Sequence, residues 1–261
     1  MSWTRIRSTL LQAWYYQKHS LEAWVDTIWW SFFSLILFGF LALFFAQSSG
    51  AEKAKSILVG FILWDMVRLG NEELTISTLR DIWSRNLSNI FTTPISTSEF
   101  LAAQMIASII RSTAVFIVLS ILAWFFYGFS ILRLSWALPL YYGNLLLFSW
   151  SCGMFIMGIL FRFGTRLQAM AWSMIIIIQP ITGVFYPISV LPRLLQTVAY
   201  CFPITYIFEA ARQTYLTGSV NIVHIGIALF LNIIYFSLAW LSFHRLFATA
   251  KRTGSFAKLE G

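Results

Sequence analysis

Apolar runs of membrane-crossing length alternate along the chain with short polar gaps. The run from Thr27 to Ala46 is free of charge over ~20 residues, the length a helix needs to cross a ~30 Å hydrocarbon core. Further apolar segments occupy residues 57–79, 101–126, 134–161, 167–186 and 220–243, so the pattern predicts six spanning helices. Ahead of them, residues 3–20 place Trp3, Ile6, Leu10 and Trp14 at helical spacing with Arg5, Arg7, Gln12 and Lys18 between, the pattern of a helix lying in a membrane interface. No small-residue cleavage site follows Ala46, so the first run is expected to remain as a spanning helix and not to be removed as a signal peptide.

The stretch from Gln179 to Arg212 breaks this rhythm. It is apolar enough for a membrane but carries Pro180, Pro187, Pro192 and Pro203, and each proline removes a backbone donor and crowds the preceding turn. The expectation is a re-entrant outer hairpin over 187–212, its irregular backbone covered by protein or facing a water-filled cavity. A proline-kinked span followed by an outside loop is the alternative. The predicted fold class is therefore an all-α integral membrane protein in one domain, 1–261. It has six transmembrane helices, an N-terminal interfacial helix and a re-entrant hairpin before the last helix.

Composition agrees with a membrane protein: 59% of residues are hydrophobic and only 11% charged, against about 25% charged in soluble domains. The net charge of +8 suggests nucleic acid only if Lys and Arg cluster on one face. Here they sit in the gaps between apolar runs, so no nucleic-acid partner is expected. With the N-terminus inside, the cytoplasmic segments hold Arg5, Arg7, Lys18, Arg80, Arg85, Arg162, Arg166, Arg245, Lys251, Arg252 and Lys258, against Lys53, Lys55, Arg133 and Arg193 outside. Eleven against four predicts both termini in the cytosol of a cell (inner, plasma) membrane. Cys152 and Cys201 lie in apolar surroundings without CxxC or metal-type spacing, and are expected as buried small hydrophobes with no disulfide.

Residues 80–100 form the longest cytoplasmic connection, within which 80–93 is expected as a short helix, with Ile82, Trp83, Leu87, Ile90 and Phe91 near one face and Pro94 as a stop. Ser96 with Glu99 three residues on is a capping box that starts the next helix at about Thr97. An apolar stripe on an exposed helix needs a partner, either the membrane surface or another protein. Inside the membrane, Asp65, Arg68 and Glu72 share a face at i, i+3 and i+4 spacing, with Glu73 beside them and Arg111 on the next segment. At ~1.5 Å per residue, Asp65 and Arg111 reach similar depths, roughly 12 Å from the outer end and 15 Å from the inner end of their helices, so an Asp65–Arg111 bridge is expected. Glu209 and Arg212 form a second expected pair. A proton or substrate relay is the alternative use of these charges. Among the 25 Phe, 12 Trp and 10 Tyr, Trp29, Trp30, Trp136, Tyr141 and Tyr142 fall near predicted interfaces as an aromatic belt; stacking on sugar rings in a conduit is the other reading.

Taken together, these features resemble the permease subunit of type-2 ABC exporters, the class that includes polysaccharide, nodulation-factor and drug exporters. The most specific part is GVFYPISVLPRLLQTVAYCFPITYIFEAAR, Gly183 to Arg212, with Gly183 ahead of Tyr186–Pro187, then Pro192, Pro203 and the terminal Arg212. NIFTTPISTSEFL, Asn89 to Leu101, is similar to the loop where such permeases meet their ATPase. The resemblance implies ATPase coupling at Trp83, Arg85, Leu87, Ile90 and Phe91, and an outer gate at Gly183, Tyr186, Pro187, Pro192 and Pro203. It also implies a dimer of this chain with two separate nucleotide-binding ATPase subunits, exporting an amphipathic glycan, lipid-linked glycan, drug or lipid. The start of the interfacial helix lacks the more basic run expected of polysaccharide exporters.

The chain has no GxxxxGK[ST] phosphate loop. ATP and Mg are accordingly expected on the partner, with no cofactor, metal or catalytic residue in this transport subunit. An intramembrane enzyme would need a motif such as HExxH or GxSxG, and neither occurs, while His19, His224 and His244 lie far apart. A passive channel is the other competing class, and it has no need of an ATPase-binding helix.

Overall fold

The computed structural model describes residues 2–253, and every regular element among them is helical. Lys258, counted above with the cytosolic charges, lies outside the described residues. The helices are α1 (Trp3–His19), α2 (Leu21–Ser49), α3 (Ala51–Trp83), α4 (Leu87–Thr92), α5 (Thr97–Tyr127), α6 (Leu138–Phe163), α7 (Met170–Ile181), α8 (Arg193–Ala199), α9 (Pro203–Thr217) and α10 (Ile222–Arg252).

α3 is the axis of the molecule. Every residue from Leu58 to Thr75 is buried, and α2, α5, α6, α7 and α9 all pack against it. Its 33 residues give a rod of about 50 Å, longer than the ~30 Å apolar core of a bilayer, so its ends reach past that core. Small residues let α6 approach closely, as in membrane helix pairs generally. A Cβ on Gly70 would overlap the Ser149 hydroxyl and one on Gly153 would crowd Leu74. Ser149 Oγ meanwhile donates to the Val67 carbonyl at 2.9 Å. One apolar cluster surrounds the first half of α3, with Leu63, Phe148 and Phe208, and a second surrounds its last turns, with Leu79, Phe100, Phe161 and Phe243.

A helix forms over the predicted N-terminal stretch as α1, and it is fastened at its start. The Ser96–Glu99 capping box that begins α5 is present, and the Glu99 carboxylate also accepts the Ser2 N–H at 2.6 Å and lies 3.5 Å from the Arg5 guanidinium.

Four helical stretches are both long and apolar enough to cross a membrane: Thr27–Gln47, Thr97–Tyr127, Ile131–Leu167 and Ile222–Arg252. The bent pair α8 and α9 makes a fifth only across a 100° break. Of the six predicted segments, α3 has the length but carries Asp65, Arg68, Glu72 and Glu73 in its middle. The expected span 167–186 is reduced to α7, 12 residues, because a 3-10 turn at Gly164–Leu167 precedes it and Pro180 falls in its last turn. The span expected from Leu134 lies within Ile131–Leu167, but its α-helix starts only at Leu138, since Ile131–Ala137 forms a 3-10 turn with Ser135 at φ 52°.

Two further expectations change. Cys152 is buried but Cys201 is exposed, and both are free. Trp29, Trp30 and Trp136 are exposed as belt residues should be, whereas Tyr141 is fully buried and shares a 2.7 Å hydrogen bond with Thr214.

Candidate functional site

Three groups of residues lie along α3. Midway along it, the Arg68 guanidinium donates from Nε to Asp65 Oδ1 at 2.8 Å, from Nη1 to Glu72 Oε2 at 2.7 Å and from Nη2 to Ser31 Oγ at 2.9 Å. The Ser31 hydroxyl donates in turn to Asp65 Oδ2 at 2.7 Å, which closes the network onto α2. Arg111 of α5 pairs with Glu73 at 3.0 Å and also donates to Thr27 Oγ1. The expected Asp65–Arg111 bridge is therefore not formed. Asp65 is taken by Arg68 one turn away on its own helix, and Glu73, about 12 Å further along α3, is the carboxylate that Arg111 meets. Buried charges hold only when paired and hydrogen-bonded. Thr27 and Ser31, one turn apart in the run 27–46, complete both networks from α2. Their only mark in the sequence is two hydroxyls at i, i+4 in a charge-free run.

At the cytoplasmic end predicted from the charge distribution, the expected helix over 80–93 divides in two. α3 continues through Ile82 and Trp83, the chain turns at Arg85 with φ 54°, and only Leu87–Thr92 forms a separate helix. The apolar stripe is covered by the chain itself. Ile82 and Leu87 are buried, and the half-buried Phe91 packs on Phe100, Phe161 and Phe247 at ring separations of 5.0–5.8 Å. Ile90 is half-buried against the same cluster. An elbow remains outside: Trp83, Ser84, Arg85 and Asn89 are exposed.

At the other end, the prolines start short helices where predicted. Pro187 and Pro192 cap the 3-10 turn Ile188–Val190 and α8, and Pro203 occupies the first turn of α9, where its missing N–H costs nothing. Gly183 takes φ 66°, a conformation glycine adopts without strain. Arg212 forms the expected pair with Glu209 at 2.8 Å and does more. Its Nη2 donates to the carbonyls of Gly183 at 2.7 Å and Val184 at 3.3 Å, and Glu209 accepts the Ile188 N–H at 3.0 Å. One ion pair thus ties α9 to the turn after α7. The turn also seats on α3, since a Cβ at Gly60 would overlap the Val184 carbonyl, and Phe185 stacks on Phe38 at 4.2 Å. Tyr186 donates its hydroxyl to the Pro180 carbonyl.

The family model for the ABC-2 type transporter matches residues 11–216, from within α1 to the end of α9. The chain belongs to the ABC-2 type transporter family. It is a permease subunit and a multi-pass membrane protein. No curated protein matches it. In this ABC-2 permease the match takes in the buried charges, the elbow and the turn after α7 with its Arg212 clamp, and it ends before α10.

Proposed function

We propose that this permease is the membrane part of an ATP-driven exporter. It works as a homodimer with two separate ATPase subunits, which carry the ATP and Mg, and moves an amphipathic substrate, a glycan or lipid-linked glycan or a drug or lipid, out of the cytosol. The family match over 11–216 carries this reading. The chain would cross the inner membrane six times with both termini in the cytosol, α3 supplying one crossing and α7 together with its flanking turns another. The hairpin from Pro187 would close the conduit from outside.

α3 supports a coupling role because one unbroken helix links the elbow to the outer turn. Leu87 and Phe91 fix the elbow from within, so a push on Trp83 or Arg85 moves α3 instead of bending a loose loop. Movement of α3 reaches the turn through Gly60 and Val184, and reaches α9 through Trp64 and Phe208, whose rings lie 6.3 Å apart.

The test is reconstitution with a candidate ATPase subunit. Exposed interface residues that anchor a partner contribute about 2 kcal/mol or more each. Trp83→Ala combined with Arg85→Glu should therefore lower permease-stimulated ATP hydrolysis and export by at least about tenfold, with unchanged thermal unfolding. Leu87→Asp is no such reporter, because it places a charge in the core. Full export by the double variant would remove the elbow from the coupling path, and substrate flux without ATP would favour a passive channel. For the hairpin, single cysteines at Ser189 and Thr217, in a chain lacking Cys152 and Cys201, should react with an impermeant thiol reagent added outside. Reaction of Thr217→Cys from the cytosolic side alone would mean that α8 and α9 cross the bilayer.

A further inference from the structure

An apolar groove of about 440 Å³ opens between α1, α2 and α5. That volume falls in the range of small-ligand sites. Its wall on α1 is the face Arg7, Leu10, Leu11, Trp14 and Gln17, at spacings of three and four residues. Its wall on α5 runs from Ala107 to Leu122, about 22 Å at 1.5 Å per residue, which is most of a ~30 Å hydrocarbon core. Trp14 and Ile110 line it and are still 57% and 58% exposed, so the chain does not fill the groove with its own side chains.

The polar groups of the groove are cationic or neutral apart from Glu73, which is already paired with Arg111. Arg7 stands at the α1 edge with no ion pair among the described residues. Deeper in, Arg111 lines the groove while engaged with Glu73 and Thr27. An apolar channel of acyl-chain dimensions, with an unpaired cation at its α1 edge and no unpaired carboxylate on its walls, is complementary to one class of molecule.

We infer that the groove binds one anionic phospholipid from the leaflet on which α1 lies. Arg7 holds the phosphate, and an acyl chain lies along α5 past Ala114 and Val118. The site is independent of the transport cycle and stands whether or not export is observed.

Full-length chain, delipidated in detergent, would be exposed to mixed vesicles of phosphatidylglycerol and phosphatidylcholine, and the retained lipid counted by native mass spectrometry. One phosphatidylglycerol per chain is expected in preference to phosphatidylcholine. Arg7→Gln should reduce that preference about fivefold, the effect of one basic side chain at an anionic membrane surface, and Arg7→Lys should keep it. Ala114→Trp, on the exposed groove wall, should abolish retention of either lipid; Val118→Trp does the same if the first variant folds poorly. Equal retention of both lipids, or retention unchanged by both tryptophan variants, overturns the inference. So does efficient disulfide dimerisation of Val118→Cys, which would mean that a second copy covers the groove.

Discussion

Arg212→Ala should lower the unfolding free energy by about 3–5 kcal/mol, the usual cost of removing one partner from a buried ion pair. Arg212 is buried and joins Glu209 to the carbonyls of Gly183 and Val184. Truncation strands a carboxylate and two backbone acceptors in a region with little water to replace the lost donors. Arg212→Lys keeps the charge but cannot reproduce the fork that spans Glu209 and the turn, so its stability should fall between alanine and wild type. Thermal unfolding in a fixed detergent measures the series. An alanine variant within about 1 kcal/mol of wild type, an ordinary substitution effect, would show that the turn is held by apolar contacts alone.

The second large effect belongs to α3. Arg68→Met leaves Asp65 and Glu72 buried without their cation and should also cost about 3–5 kcal/mol. Replacing all three members, with Asp65→Asn, Arg68→Met and Glu72→Gln, should restore most of the loss, because matched neutral side chains need no buried counter-charge. The same logic separates the two networks: Arg111→Gln should be rescued by Glu73→Gln and not by Asp65→Asn. A triple variant as unstable as Arg68→Met would mean that the network is held by shape and hydrogen bonding, with charge playing little part. Rescue of Arg111→Gln by Asp65→Asn would contradict the geometry of α3 and α5.

Whatever depends on spacing along one helix could be read from the sequence. The α1 stripe, the Ser96–Glu99 box, the proline-initiated helices and the Glu209–Arg212 pair are all of this kind, because each is decided within about two turns. What depends on rotation or level between helices could not. Asp65 and Arg111 were matched by depth alone, and depth leaves open which face each helix turns to its neighbour. The partner of Arg111 is Glu73, and the hydroxyls of Thr27 and Ser31 enter only once α2 is in place. The 80–93 segment shows a related limit. Its apolar periodicity was correct, but periodicity does not say whether a stripe faces a partner or the chain's own Phe100, Phe161 and Phe247. Likewise the span 57–79 is legible, but not how its charges are tolerated: burial of α3 among five other helices, and not apolar composition, does that.

The bond between Ser2 and Glu99 joins residues 97 positions apart, which sets a time during biosynthesis. At about 5–20 residues per second, Glu99 is made roughly 5–20 s after Ser2. During that interval two apolar segments are made, and the start of α1, without its Glu99 partner, rests on the bilayer surface. Its own stripe of Trp3, Leu10, Leu11 and Trp14 must keep it there until α5 begins. The amphipathic character of α1 thus serves the nascent chain first, and the Glu99 latch takes over when the third apolar segment arrives.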